Sequence, residues 1–140
     1  MFRFAIFALL VFGQTSAASA AAGCAGADPA ITSVAVKGMS SDGSINSYDL
    51  SGTVVNLGSV GQASDVLQFV NIYKGGVKLD SRGIPPLKPG ESYTFSYASS
   101  RSKDAGNGST VLRFAMDGGA QATPGSQDCD RANGQYMLSF

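Results

Sequence analysis

The sequence predicts an all-β protein in which two sheets pack as a sandwich. Short runs of alternating apolar and polar residues recur along the chain, and turns rich in glycine and proline separate them. No stretch beyond the first 22 residues shows a convincing helical period. Charged residues make up only 14% of the chain, glycine is abundant and tryptophan is absent. This composition is typical of strand-and-turn proteins outside the cell.

The N-terminal residues predict a secretory signal peptide. Arg3 supplies a positive charge, residues 4–12 form an apolar run, and residues 13–22 are mainly small. This is the layout of a cleaved leader, and its apolar run is too short to span a bilayer. A cleavage site fits at residues 18–20. The domain is therefore expected to be secreted, periplasmic or at the cell surface, and not to span the membrane after cleavage.

The rest of the chain is long enough for one domain. We divide the sequence into a signal peptide (1–20), a small-residue lead-in (21–30) and a sandwich domain (31–140). A chain of roughly 120 residues buries about two thirds of its unfolded surface. Beyond the leader, nine basic residues face ten acidic ones. No basic surface for nucleic acid is predicted from that balance.

The two cysteines, Cys24 and Cys129, are expected to form one disulfide bond. An even pair in an exported protein most simply indicates a bridge. It closes a loop of about 105 residues, for which the chain-entropy model gives about 4–5 kcal/mol of stabilisation. Two buried free thiols and lipid attachment at Cys24 are the alternatives. A metal site at this pair is disfavoured because the chain has no histidine to complete it.

Seven strands are predicted from the alternating pattern. They cover residues 31–37, 50–56, 66–73, 77–80, 92–98, 110–117 and 135–140. In the second strand Leu50, Gly52 and Val54 share one face. In the fifth strand Tyr93, Phe95 and Tyr97 do so, which favours core packing over a sugar-binding strip. The third strand is apolar on both faces, so its inward side chains are either Val66, Val70 and Ile72 or Leu67 and Phe69.

The turns are predicted from glycine and proline positions. Residues 39–48 are polar and turn-rich, with a reversal at Asp42-Gly43. Gly75-Gly76 fits a type I′ hairpin, because both central residues of that turn need positive φ. Lys88-Pro89-Gly90-Glu91 fits a type II turn, with proline second and glycine third.

The count of seven strands favours an immunoglobulin-like sandwich over a barrel. In such sandwiches the first and last strands commonly run parallel, side by side. Cys24 precedes the first predicted strand and Cys129 precedes the last. Both cysteines are therefore expected at the same end of the domain, within bridging reach.

Four short motifs resemble those of a known domain family. They read LSGTVVNLG at 50–58, IYKG at 72–75, LKPGES at 87–92 and FAMD at 114–117. Together they resemble the CARDB domains (cell adhesion related domain found in bacteria). The resemblance spans about residues 50–140. It implies an immunoglobulin-like fold and a structural or adhesive role.

Candidate sites for chemistry are few. Histidine is absent and Glu91 is the single glutamate, placed in a turn, so no catalytic residue is predicted and the protein is not expected to be an enzyme. Asp117, Asp128 and Asp130, with Asn133, could supply oxygen ligands for calcium at one end of the sandwich. The alternative is that these side chains cap turns. No other cofactor is indicated.

The function predicted from these observations is that of an exported, non-enzymatic binding or adhesion-type module of bacterial type. Its partner would be a protein or a cell-surface glycan, engaged through loops or an unpaired strand edge. The alternative is a structural subunit of a surface fibre or cell-envelope assembly that uses edge-strand pairing.

The Cys24–Cys129 bond is tested by the mass of the unreduced protein. Because forming one disulfide removes two hydrogens, the mass should be about 2 Da below that of the reduced chain, and no thiol should react with an alkylating reagent. Peptide mapping should recover Cys24 and Cys129 in one linked fragment. Two alkylated cysteines without prior reduction would contradict the bond.

Overall fold

The computed structural model describes residues 25–65, 67–106, 108–117 and 132–140, and it is almost entirely β. Within these ranges the one helical element is a 3-10 turn at Lys103–Ala105. No helix in the described ranges is long and apolar enough to cross a membrane. The seven strands are β1 (Pro29–Asp42), β2 (Ile45–Asn56), β3 (Gln68–Lys74), β4 (Val77–Ile84), β5 (Ser92–Ser102), β6 (Val111–Asp117) and β7 (Gln135–Ser139).

The strands form two antiparallel sheets that face each other. One has the order β1-β2-β5 and the other the order β4-β3-β6-β7. Buried side chains from both sheets form one core, and the rings of Phe95 on β5 and Phe114 on β6 meet with centroids 6.0 Å apart. The predicted all-β sandwich of seven strands is therefore confirmed. The core residues are Ile31, Val34, Leu50, Val54, Val70, Ile72, Ile84, Leu87, Phe95, Leu112 and Phe114.

The inward face of β3 is the one that carries Val70 and Ile72. Both side chains are fully buried, whereas Leu67 is 77% exposed and Phe69 is 36% exposed. Because side chains alternate along a strand, Phe69, Asn71 and Tyr73 point outward. Of the two alternatives left open by the sequence, the structure supports the one with Val70 and Ile72; its third member, Val66, lies outside the described residues.

Gly52 makes room in the core for an aromatic ring. It lies on the buried face of β2, directly across from Phe95. A Cβ atom at this position would come within 2.2 Å of the Phe95 ring. The residue must be glycine for Phe95 to pack over the central strand.

Two predicted turns have the expected backbone geometry. Gly75 and Gly76 have φ angles of +57° and +84°, as a type I′ turn requires at both central positions. Gly90 has a φ of +76°, and the Glu91 N–H donates to the Lys88 carbonyl at 3.0 Å, as expected for a type II turn.

Residues 39–48 are not a turn-rich connection as predicted. β1 continues to Asp42 and β2 begins at Ile45, with only Gly43 and Ser44 between them. Ladder pairing with β1 and β5 extends this part of β2 to Ile45. This part of the two strands is largely exposed to solvent, which suits its mainly polar residues. Even its apolar residues Met39 and Ile45 are 65% and 48% exposed. Backbone pairing, not burial, makes this segment a strand.

The Asn56 side chain uses its full hydrogen-bonding capacity inside the protein. It is 0% exposed at the end of β2. Its Oδ1 accepts from the backbone N–H groups of Asp28 and Gly58, at 2.9 and 3.0 Å. Its Nδ2 donates to the carbonyls of Val60 and Leu87, at 2.9 and 3.0 Å. Asn56 therefore connects the segment before β1, the loop after β2 and the crossing from β4 to β5.

Gly58 allows these segments to approach closely. A Cβ atom on Gly58 would lie 2.0 Å from the Gly26 carbonyl oxygen and 2.7 Å from the Asp28 nitrogen. Both contacts are with backbone, which cannot move aside as a flexible side chain could. The spacing Asn56-x-Gly58 thus has a direct structural reason.

The beginnings of β1 and β7 lie next to each other, although the strands belong to different sheets. The Ile31 N–H donates to the Asn133 carbonyl at 3.1 Å. Asn133 Nδ2 also donates to the two carboxylate oxygens of Asp28, at 3.0 and 3.2 Å. Cys24 and Cys129 lie outside the described residues, each four positions before one member of this Asp28–Asn133 pair.

Candidate functional site

The predicted calcium ligands are only partly covered by the structure. Asp117 ends β6 and is exposed, and its Oδ2 accepts a hydrogen bond from Asn71 Nδ2 at 3.3 Å. Asp128 and Asp130 lie outside the described residues. Across the described ranges, no three acidic, histidine or cysteine side chains group closely enough to hold a metal ion.

A different surface combines aromatic, amide and charged side chains on one rigid element. It is the side of the four-stranded sheet (β4-β3-β6-β7) that points away from the core, and we call it the outer face. Strand register places Phe69 opposite Asp117, Asn71 opposite Ala115 and Tyr73 opposite Arg113. β4 and β7 extend it on either side. Its residues are Phe69, Asn71, Tyr73, Ser81, Gly83, Arg113, Ala115, Asp117, Gln135 and Met137.

Tyr73 and Arg113 form a cation–π pair on this face. The guanidinium carbon of Arg113 lies 4.1 Å from the centroid of the Tyr73 ring. Both side chains are partly buried, and such pairs contribute about 0.5–1 kcal/mol at exposed sites. The contact also restrains the Arg113 side chain over the Tyr73 ring.

A chain of hydrogen bonds crosses three strands beside this pair. Ser81 Oγ on β4 donates to Asn71 Oδ1 at 2.6 Å, and Asn71 Nδ2 donates to Asp117 Oδ2 on β6 at 3.3 Å. Asn71 is only 5% exposed although it points outward. The exposed Asp117 carboxylate therefore accepts a hydrogen bond from a buried amide that Ser81 itself orients.

Phe69 lies on the opposite side of Asn71 from Tyr73, on the same face of β3. Its Cε1 atom lies 4.0 Å from the position that a Cβ of Gly83 would take, so the ring packs beside this glycine, and the side chain stays 36% exposed. Aromatic rings thus lie on both sides of the Asn71 amide, two residues away along β3. Rigid aromatic surface next to oriented donors and acceptors is the chemistry of a binding surface.

A second group of polar side chains lies at the open side between β4 and β5. Arg82 forms an ion pair with Asp80 at 2.7 Å, and its guanidinium carbon lies 5.8 Å from the centroid of the Tyr97 ring. Burial raises the pKa of the Tyr97 phenol, the Asp80 carboxylate raises it further, and Arg82 partly opposes them. The side chains of Arg82 and Asp80 are 42% and 37% exposed, so the ion pair contributes at most about 1 kcal/mol.

Sequence reasoning did not identify the outer face. Its aromatic residues, Phe69 and Tyr73, lie in a strand whose two faces are both apolar, so the pattern could not show which residues point outward. The partner of Tyr73, Arg113, is 40 positions away along the chain. Only the register between β3 and β6 brings the two together.

Comparisons with known proteins give no relative: no family model matches this chain, and no curated protein or solved structure is significantly similar to it.

The calcium hypothesis predicts a rise in melting temperature when calcium is added. A ligand that binds only the native state stabilises it by about 2.7 kcal/mol at a hundredfold excess over its dissociation constant. Asp117→Asn should reduce that rise, because it removes one anionic ligand. The matched control is Asp104→Asn, at an exposed position in the 3-10 turn. No shift at about 10 mM calcium, a concentration above the range of extracellular sites, would dismiss the site.

Proposed function

We propose that the protein is an exported, non-enzymatic binding module of adhesion type, with an immunoglobulin-like fold. The arrangement of strands supports the fold proposal. The first, second and fifth strands face a sheet of the third, fourth, sixth and seventh, and sandwiches of this kind divide their strands in a closely similar way. The motifs that resemble CARDB domains agree with this assignment.

The outer face is the observation that carries the binding function. Tyr73 and Arg113 belong to the residue types that dominate binding energy at protein interfaces, and they are already stacked before any partner arrives. Ser81 Oγ donates to the Asn71 amide, and Asn71 in turn donates to the Asp117 carboxylate, so these side chains lose less conformational entropy on binding. A strand-borne site of this kind is more rigid than one built on loops.

The partner is proposed to be a protein or a cell-surface glycan. The leader-like N-terminus supports export, and a balanced charge does not favour nucleic acid. Aromatic rings bind either partner class through their faces, and the guanidinium, amide and carboxylate groups provide donors and acceptors for hydroxyl or peptide groups.

A structural subunit of a surface or cell-envelope assembly is the second candidate. The long strand β5 supports it, because among the described strands it forms one edge of its sheet and pairs only with β2. Assembly by edge pairing needs such a strand.

The binding proposal is tested by changing Arg113 and Tyr73 to alanine, singly and together. Binding of the purified protein to bacterial cell-envelope fractions, with and without protease treatment, separates glycan from protein partners. We expect each single change to weaken binding about tenfold or more, as for typical interface hot spots. Met39→Ala is the control, since Met39 is 65% exposed on the other sheet. Wild-type affinity in the folded double variant would refute this role of the outer face.

A further inference from the structure

Within the described residues, four strands lie at the edges of the two sheets, and three of them are protected against further pairing. β1 has irregular register at two places along its ladder. β4 has a bulge and carries Lys78, Asp80 and Arg82. β7 has only five residues. Bulges, charges and short length are the usual means by which proteins prevent edge pairing.

The fourth edge strand, β5, lacks these protections. Its eleven residues pair with β2 in one unbroken register. No charged residue and no proline occur from Ser92 to Ser100. An exposed edge of this length and regularity is a template for another strand.

The outward hydrogen-bonding groups of β5 belong to its even-numbered residues. The Asn56 N–H donates to the Glu91 carbonyl, and the Lys103 N–H donates to the Ser44 carbonyl. Backbone groups alternate in direction along a regular strand, so the odd-numbered residues between Glu91 and Lys103 face β2. The N–H and C=O groups that point away from the sheet are therefore those of Ser92, Thr94, Ser96, Ala98 and Ser100.

The two ends of β5 carry opposite charges. Glu91 precedes the strand and Arg101 lies near its end, with the uncharged stretch between them. In an antiparallel pair the beginning of one strand lies beside the end of the other. Two copies of β5 would therefore place Glu91 of each copy beside Arg101 of the other. The nearly balanced charge beyond the leader, nine basic against ten acidic residues, gives little general repulsion between copies.

We propose that β5 pairs antiparallel with β5 of a second copy of this chain, across a two-fold axis at Ser96. The proposal deepens the second candidate function, assembly through an edge strand, and leaves the outer face free. Thr94 then pairs with Ala98 and Ser92 with Ser100. In this register the backbone N–H of each of these five residues donates to the partner strand, and its C=O accepts from it. The three-stranded sheets of the two copies then form one continuous six-stranded sheet.

The first test measures the oligomeric state by sedimentation equilibrium across a range of protein concentrations. We expect a reversible dimer for the wild type. Ser96→Lys brings two ammonium groups together at the two-fold axis and should raise the dimer dissociation constant at least about tenfold. Ser51→Lys is the matched control, because Ser51 lies directly beside Ser96 on the same sheet face but on the central strand. It should dimerise like the wild type.

A second test addresses the register through charge. Arg101→Glu should weaken the dimer, and adding Glu91→Lys should restore it, because the reversed charges face each other again. A wild type that stays monomeric at every concentration, or a Ser96→Lys variant that dimerises like the wild type, would overturn the proposal. Failure of the double reversal to restore the dimer would overturn the Ser96-centred register. Because none of these changes alters the outer face, its binding role is tested separately.

Discussion

The Asn56 side chain holds three separate segments together at one end of the sandwich. Its oxygen accepts from the segment before β1 and from Gly58, and its nitrogen donates to the loop after β2 and to the β4–β5 crossing. A typical hydrogen bond contributes only about 1 kcal/mol net, but a buried group left without its partner costs about 1–3 kcal/mol. Because Asn56 is fully buried, losing it would leave several backbone groups unpaired at once. No other single side chain in the described part of the chain joins so many segments.

The same end of the domain contains the beginning of β5, the strand proposed to pair between copies, and the contact between the beginnings of β1 and β7. Glu91, whose carbonyl accepts from the Asn56 N–H, directly precedes the strand proposed to pair between copies. The Asp28–Asn133 contact sets the beginnings of β1 and β7 side by side at the same end. The outer face is built farther along β3 and β6, where ladder bonds fix the positions of Tyr73 and Arg113. The hydrogen bonds of Asn56 and Asp28 thus join the segments at one end of the domain. The four-stranded sheet presents the outer face, and the three-stranded sheet presents the edge of β5.

The parts of the fold predicted from the sequence are those with a local physical signature. Alternation identified the buried faces of β2 and β6, because one face of each packs on the core. On β5 it identified Phe95 and Tyr97, but Tyr93 is 37% exposed and lies outside the core. Glycine and proline positions predicted two turns, in which Gly75, Gly76 and Gly90 have positive φ. The extension of β1 and β2 was missed because pairing, not burial, forms it. The role of Asn56 could not be derived, since its partners Asp28 and Leu87 lie 28 and 31 positions away. The outer face was missed for the same reason, since Tyr73 and Arg113 meet only through strand register.

The most direct measurement is the unfolding free energy of Asn56→Asp, determined with urea. Aspartate keeps the shape and one acceptor oxygen but replaces the two N–H donors with an oxygen that faces the carbonyls of Val60 and Leu87. We expect a loss of about 3–5 kcal/mol, as for an uncompensated buried charge. Part of that loss should be recovered at acidic pH, where the carboxyl group becomes neutral and can donate once. Asn46→Asp, at a partly buried position on the same strand, should change stability by less than about 0.5 kcal/mol. If Asn56→Asp were as stable as the Asn46 control, Asn56 would not be the connection on which this end of the sandwich depends.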